Sequence, residues 1–197
     1  MRVELTEQRE KVFSFNKVLP PHATQNDVYT ELGIKSMVQR VIEGYHSTIF
    51  AYGQTGSGKT YSIDGTDGDE KEGIVPRAIK DLFSMLEEEN NGDRGYKIFI
   101  SFLQIYNESI FDLIDGGEGK PLRMRWNKLQ QFTVENAFEG QCRSADEAVK
   151  WWRKGQKHKV MGSHKMNNTS SRSHCLLTLR VQSYLLEDPS EQLESKL

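Results

Sequence analysis

The chain has 197 residues, 26 Lys or Arg against 28 Asp or Glu for a formal net charge of −2, and two cysteines. That length suits one domain with a sizeable core, and the charge balance carries no general signal for nucleic acid or a membrane surface. Cys142 and Cys175 lack CxxC spacing and the N-terminus is polar and charged through Lys11, with no apolar run near the roughly 18 residues of a membrane span; the expectation is a soluble intracellular protein of a reduced compartment, without disulfides or membrane insertion.

In chain order, Lys11 to Phe15 reads as a short strand closed off by Pro20-Pro21. Thr24 or Asn26 can cap a helix whose apolar positions Ile34, Met37, Val38, Val41, Ile42 and Tyr45 recur at helical spacing as one buried stripe. Gly44 to Ser47 turns the chain into a strand, Thr48 to Tyr52, which leads into Gly53-Gln54-Thr55-Gly56-Ser57-Gly58-Lys59-Thr60. This octapeptide fits the phosphate-loop pattern G-x-x-x-x-G-K-[ST] at every position. Glycines let successive backbone N–H groups turn inward around phosphate oxygens, and the helix that follows adds the partial positive charge of its N-terminus. Lys59 then reaches the β- and γ-phosphates as a point charge, and Thr60 offers its hydroxyl to a magnesium ion. The bland alternative is a Gly-rich turn before a helix that happens to carry a lysine; the flanking strand and the completeness of the pattern weigh against it.

The helix after Lys59 is short, because Asp64 to Gly73 reads as a flexible, solvated acidic loop. It is no calcium loop: counted from Asp67, Lys71 occupies a ligand position and Glu72 stands where the tight-turn glycine belongs. Helical spacing resumes from Val75 through Leu86 with Pro76 in the first turn, and Asn90-Asn91-Gly92 ends it. Lys97 to Tyr106 is nearly continuous in apolar residues, as for a strand covered on both faces. Weaker β signals follow at Leu122 to Trp126 and Gln131 to Asn136, and Ser144 with Glu147 marks the capped start of another helix. From Lys150 to Lys165 there are six Lys or Arg and no acid. Two readings stay open there: a solvated helix end that complements the macrodipole, or a face toward phosphate or an acidic partner. The last strand is His174 to Tyr184, with Cys175, Leu177, Leu179 and Val181 on one face, followed by a polar loop from Glu187 to Glu194.

A second polar signal, Asn167-Asn168-Thr169-Ser170-Ser171-Arg172-Ser173-His174, enters that last strand directly. Hydroxyls, an amide and a guanidinium in one loop suit the sensing of a γ-phosphate. This segment resembles switch I of the kinesin motor domain. Three others agree in order and spacing: Glu43 to Tyr61, Gly73-Ile74-Val75-Pro76-Arg77-Ala78, and Ser101 to Glu108.

The resemblance implies an α/β fold of the P-loop NTPase class, a three-layer α/β/α arrangement around a mixed central sheet, and a microtubule-stimulated ATPase of the cytoplasm and cytoskeleton that uses ATP/ADP and Mg2+, with tubulin as partner and no nucleic acid. It carries Gly53, Gln54, Thr55, Gly56, Ser57, Gly58, Lys59 and Thr60 over as the phosphate site, and Tyr45 and Tyr61 as neighbours of the adenine. Asn167, Ser170 and Ser171 become γ-phosphate and metal sensors, with Thr60 and Ser171 on magnesium. Arg172 matches the arginine that pairs with a switch II glutamate. Lys159 stands where the family usually has arginine, which removes bidentate geometry there. Arg123, Arg125 and Lys128 fall where a lesser tubulin-contacting loop lies, or are plain surface charges.

The family's first strand and its switch II segment have no match in this sequence, so residues 1–197 are expected to be a partial motor domain. The alternative to a working motor is a truncated or degenerate kinesin-like module that binds nucleotide or scaffolds without turnover. A small GTPase is disfavoured, because Asn127-Lys128-Leu129-Gln130 lacks the aspartate of the guanine-reading Asn-Lys-x-Asp.

Overall fold

The computed structural model describes residues 12–66, 68–89, 92–115, 120–126, 132–165 and 173–197, and the side chains of 69 and 160–165 are outside that description. The helices are α1 (Gln25–Glu31), α2 (Ile34–Ile42), α3 (Lys59–Ile63), α4 (Ile74–Glu88) and α5 (Ala145–Lys165). The strands are β1 (Arg94–Tyr106), β2 (Ser109–Asp112), β3 (Met124–Trp126), β4 (Phe132–Val134), β5 (Gly140–Cys142), β6 (Ser173–Leu185) and β7 (Gln192–Lys196).

The main sheet runs β2-β1-β6-β7, with β5 also on β1, and every pairing among the described residues is antiparallel. Its spine is the β1–β6 ladder, from Arg94 opposite Leu185 to Tyr106 opposite Ser173. Asn107 (φ 46) and Glu108 (φ 61) both adopt the left-handed region in the two-residue turn that folds β2 back onto β1, the backbone that matches strand twist in a tight hairpin. β3 and β4 form a separate two-stranded ribbon, with Trp126 and Phe132 edge-on at its surface.

One face of the sheet carries the core. Ile98, Ile100 and Phe102 of β1 are buried with Leu179 and Val181 of β6, under Val38 and Val41 of α2, Ile79 and Leu82 of α4, and Ala148 and Trp152 of α5. Ser195, opposite Val181 on β7, donates its hydroxyl to Val41 O and ties α2 to the sheet edge. Gly155 lets α5 lie directly on Phe102, since a Cβ there would run into that ring. The opposite face is mixed, with Phe99, Leu103 and Ile105 of β1 beside Thr178 and Arg180 of β6; Arg180 lies over the Phe99 ring and donates to Glu139 and Glu194. β1 therefore alternates between buried and half-buried residues where its apolar run suggested cover on both sides, and the second helical layer of the expected three is not among the described residues.

Other local expectations are corrected as well. The single helix read toward Tyr45 is two: Thr24 and Asp27 form a reciprocal capping box at α1, and Gly33 at φ 67 breaks the path before α2; α2 in turn ends at Ile42, ahead of Gly44 at φ 100, so Tyr45 lies outside any helix. Residues 12–15 form no strand, and Val12, Phe13 and Phe15 are exposed. The segment 48–52 is extended without a ladder; Ser47 N donates to Lys196 O, and no backbone pairing continues beyond it among the described residues. The polar loop 187–194 is partly strand, because β7 pairs with β6 through its backbone whatever its side chains.

The acidic loop is pinched shut rather than loose. Gly65 and Glu72 bridge, Thr66 N donates to Lys71 O, and the backbones of Gly65 and Gly73 approach so closely that neither has room for a Cβ. Arg77 binds Glu72 O and Glu70 O from α4, and Lys80 pairs with the Glu72 carboxylate. No helix among the described residues is long and apolar enough to cross a membrane.

Candidate nucleotide site

The phosphate loop runs from extended residue 52 into α3 through two left-handed glycines, Gly56 at φ 81 and Gly58 at φ 89. Neither is there for want of space, since an added Cβ would meet nothing; the backbone direction demands glycine. That path leaves the N–H groups of Gly56, Gly58, Lys59 and Thr60 without an acceptor among the described residues, while Ser57 N closes onto Gln54 O. At Gly53 a Cβ would lie 2.5 Å from the Ser57 hydroxyl, which would have to turn away. Lys59 Nζ donates to Gly53 O at 2.9 Å and Gln54 O at 2.8 Å, folding its ammonium across the mouth of the loop. A ring of unpaired N–H groups with a cation at its edge is an anion receptor. α3 is only five residues long, so those N–H groups carry more of the attraction than the helix dipole expected from the sequence.

Beside the loop lies a cavity of about 630 Å³, lined by Tyr52, Gly53, Thr55, Lys59 and Thr60 on one side and by Lys159, Ser173, His174 and Cys175 on the other. Its floor is apolar, with Ile74, Ala78, Phe102, Leu177 and Leu179. Trp152 borders it with its indole N–H unpaired. The structure thus brings the start of β6, whose Ser173 and His174 are the last two residues of the expected sensor segment, to the same cavity as Lys59 and Thr60. Asn167, Ser170, Ser171 and Arg172 themselves lie outside the described residues. Tyr45 and Tyr61 are 62% and 52% exposed, and neither lines the cavity.

Asp64 was read from sequence as part of a solvated loop, yet it caps the C-terminal end of α3 and faces the cavity. Lys159 Nζ stands 3.8 Å from its carboxylate, whose side chain is 15% exposed. Burial pushes the Asp64 carboxyl above its ordinary value, and the Lys159 ammonium opposes that rise. Burial likewise raises the Cys175 thiol, again with Lys159 acting the other way. Lys159 therefore holds α5 to the end of the phosphate-loop helix through one charge contact, the geometry a lysine can offer in place of a two-pronged guanidinium. No sequence signal singled out Asp64, since its partner is 95 positions away in the chain.

Thr60 fits a hard, oxygen-seeking cation such as magnesium as a single hydroxyl donor at the edge of the loop, the kind of site in which the ion keeps most of its waters. Among the described residues no group of three or more His, Cys, Asp or Glu could hold a metal.

A family profile described as the kinesin motor domain matches residues 1–197. Kinesin-like protein KIN-14F of Oryza sativa subsp. japonica is 39% identical over 175 residues, covering 87% of this chain and 17% of its own length. Centromere-associated protein E of Homo sapiens is 37% identical over 181 residues, covering 91% of this chain and 6% of its own. Among solved structures, that of a fast kinesin superposes with a TM-score of 0.89 at 27% identity, over 97% of this chain and 53% of the other. The chain thus spans about half of the solved relative and a fifth or less of these curated ones.

Proposed function

The chain belongs to the kinesin motor-domain family, and on that premise we propose that it is the phosphate-binding part of an ATP-driven microtubule motor. The observation that carries this reading is the loop of unpaired N–H groups at Gly56, Gly58, Lys59 and Thr60 with the Lys59 ammonium across it. Coverage of 53% of the solved fast kinesin supports reading residues 1–197 as one part of a motor domain.

In this reading the N–H groups hold the phosphates of ATP or ADP, and Lys59 swings from the loop carbonyls to the β/γ oxygens. Thr60 and Ser171 would hold a magnesium ion, which would supply positive charge against the phosphates. Asn167, Ser170 and Ser171 sense the γ-phosphate, and Arg172 pairs with a switch II glutamate as the site closes. Tyr45 and Tyr61, both exposed, lie close to the adenine. Ordering of the sensor segment by the γ-phosphate and its release on hydrolysis alter the grip on the microtubule, which places the protein on the cytoskeleton.

The full-length parent is expected to hydrolyse ATP faster with microtubules present, and Lys59→Ala to abolish this. A parent shown to contain switch II but indifferent to microtubules would sink the motor reading in favour of a nucleotide-binding or scaffolding module without turnover. For residues 1–197 alone, weak or absent turnover is expected; fluorescent ADP titration should still show binding, weakened at least about a hundredfold by Lys59→Ala. A folded chain that binds no nucleotide would count against the site itself.

A further inference from the structure

The basic run that begins at Lys150 had two readings in the sequence, and the structure removes one of them for its first half. α5 extends to Lys165, so Lys150, Arg153, Lys154 and Lys157 occupy its early and middle turns. The helix macrodipole favours cations only within the last turn; here it offers them nothing.

At 100° per residue these four side chains fall within an arc of about 100°, and a rise of 1.5 Å per residue makes the stripe about 10 Å long. All four are exposed, while Ala148, Trp152 and Gly155 on the opposite side of the helix are buried. Lys150, Arg153 and Lys157 make no ion pair or hydrogen bond among the described residues, and Lys154 rests over the Trp151 ring at 5.2 Å. Spacings of three and four residues set like charges next to each other along the stripe, an arrangement that weakens a helix. Two acids lie a turn before it: Asp146 on this face, and Glu147 at its border, whose carboxylate accepts from Arg143 N. A solvated helix face ordinarily mixes both signs, and the chain as a whole is slightly acidic, so this single-sign stripe is a local exception with an energetic cost.

We propose that the exposed face of α5 is a docking surface for an acidic polypeptide segment. Charge complementarity sets the sign of the partner, and a single narrow stripe about 10 Å long matches about three residues of one extended chain. Nucleic acid is disfavoured: Trp151 is packed against Phe138 and covered by Lys154, leaving no free aromatic face on which a base could stack. A membrane is disfavoured as well, because the exposed residues of this face are all charged and none could enter the acyl boundary.

The test is fluorescence anisotropy of residues 1–197 with a labelled oligoglutamate peptide at about 50 mM salt, repeated at higher salt. Saturable, salt-sensitive binding is expected, with K150E/K154E/K157E weakening it at least about tenfold. The control K35E/R40E/K71E makes the same change in net charge at exposed positions of other elements and is expected to change affinity less than about threefold. The milder K150Q/K154Q/K157Q, with circular dichroism of each variant, separates lost docking from lost folding. Absence of binding by the wild type, equal losses in the two reversal variants, or tighter binding of a single-stranded oligonucleotide or of phosphatidylserine vesicles would each overturn the proposal.

Discussion

The β1–β6 ladder and the phosphate-loop edge lie side by side and are built on opposite principles. Along the ladder all 13 residues of each strand are paired and one face is sealed by α2, α4 and α5. At the edge, Phe50 and Tyr52 are 81% and 95% exposed, the extended segment 48–52 has no ladder, and the loop beyond it keeps N–H groups unpaired. The contrast shows where stability and ligand recognition reside. Backbone groups that bind phosphate cannot also be spent on a sheet, so the receptor is held from its flanks, by the α3 bonds on one side and Ser47 on the other.

The comparison can be broken most forcefully from the ladder side. Leu82→Ala, at a fully buried position of α4, is expected to cost about 3 kcal/mol in urea unfolding; a loss below about 1 would mean that the core is not where stability resides. Gly65→Ala sharpens the boundary. It lies in a loop yet has φ +75 and a Cβ position overlapping the Gly73 and Lys71 backbone, so a loss of about 2 kcal/mol or more is expected. Stability unchanged by that substitution would show the pinch to be loose.

Cys142, buried at the β5 edge of the ladder, has its thiol pushed up to about 12 by burial. Between about pH 9 and that value the unfolded thiol has lost its proton and the native one keeps it. Stability therefore falls as pH rises, by about 1.4 kcal/mol per unit from this group. Cys142→Ala should flatten the alkaline limb by that slope, and an unchanged limb would place the thiol in contact with solvent. The smallest effect belongs to the loop edge: Phe50→Ser should alter stability by less than about 0.5 kcal/mol, and a larger loss would mean that residues 48–52 are packed after all.

The phosphate loop was legible because its chemistry constrains residue type: only glycine takes the left-handed turns at Gly56 and Gly58, and only a cation followed by a hydroxyl completes the receptor. α4 and β6 were legible through the spacing of their apolar residues, and the α1 cap through Thr24. Elements whose cause lies in the backbone or in distant partners were not. β7 is polar and pairs through its main chain, and β5 has only three residues with which to show a period. The extended 48–52 has strand composition, but a ladder requires a neighbour, which composition cannot supply.

By itself, then, the sequence determined the anion receptor, the family resemblance and most of the helical stripes, since each is a local matter of residue type and spacing. Tertiary structure alone decided the apolar floor of the cavity that the end of the sensor segment and the phosphate loop share. It paired Asp64 with Lys159 across 95 positions, and it turned four cations of α5 outward in mid-helix. Those outcomes depend on which surfaces meet when the core closes, and that is a property of the whole chain rather than of any stretch in it.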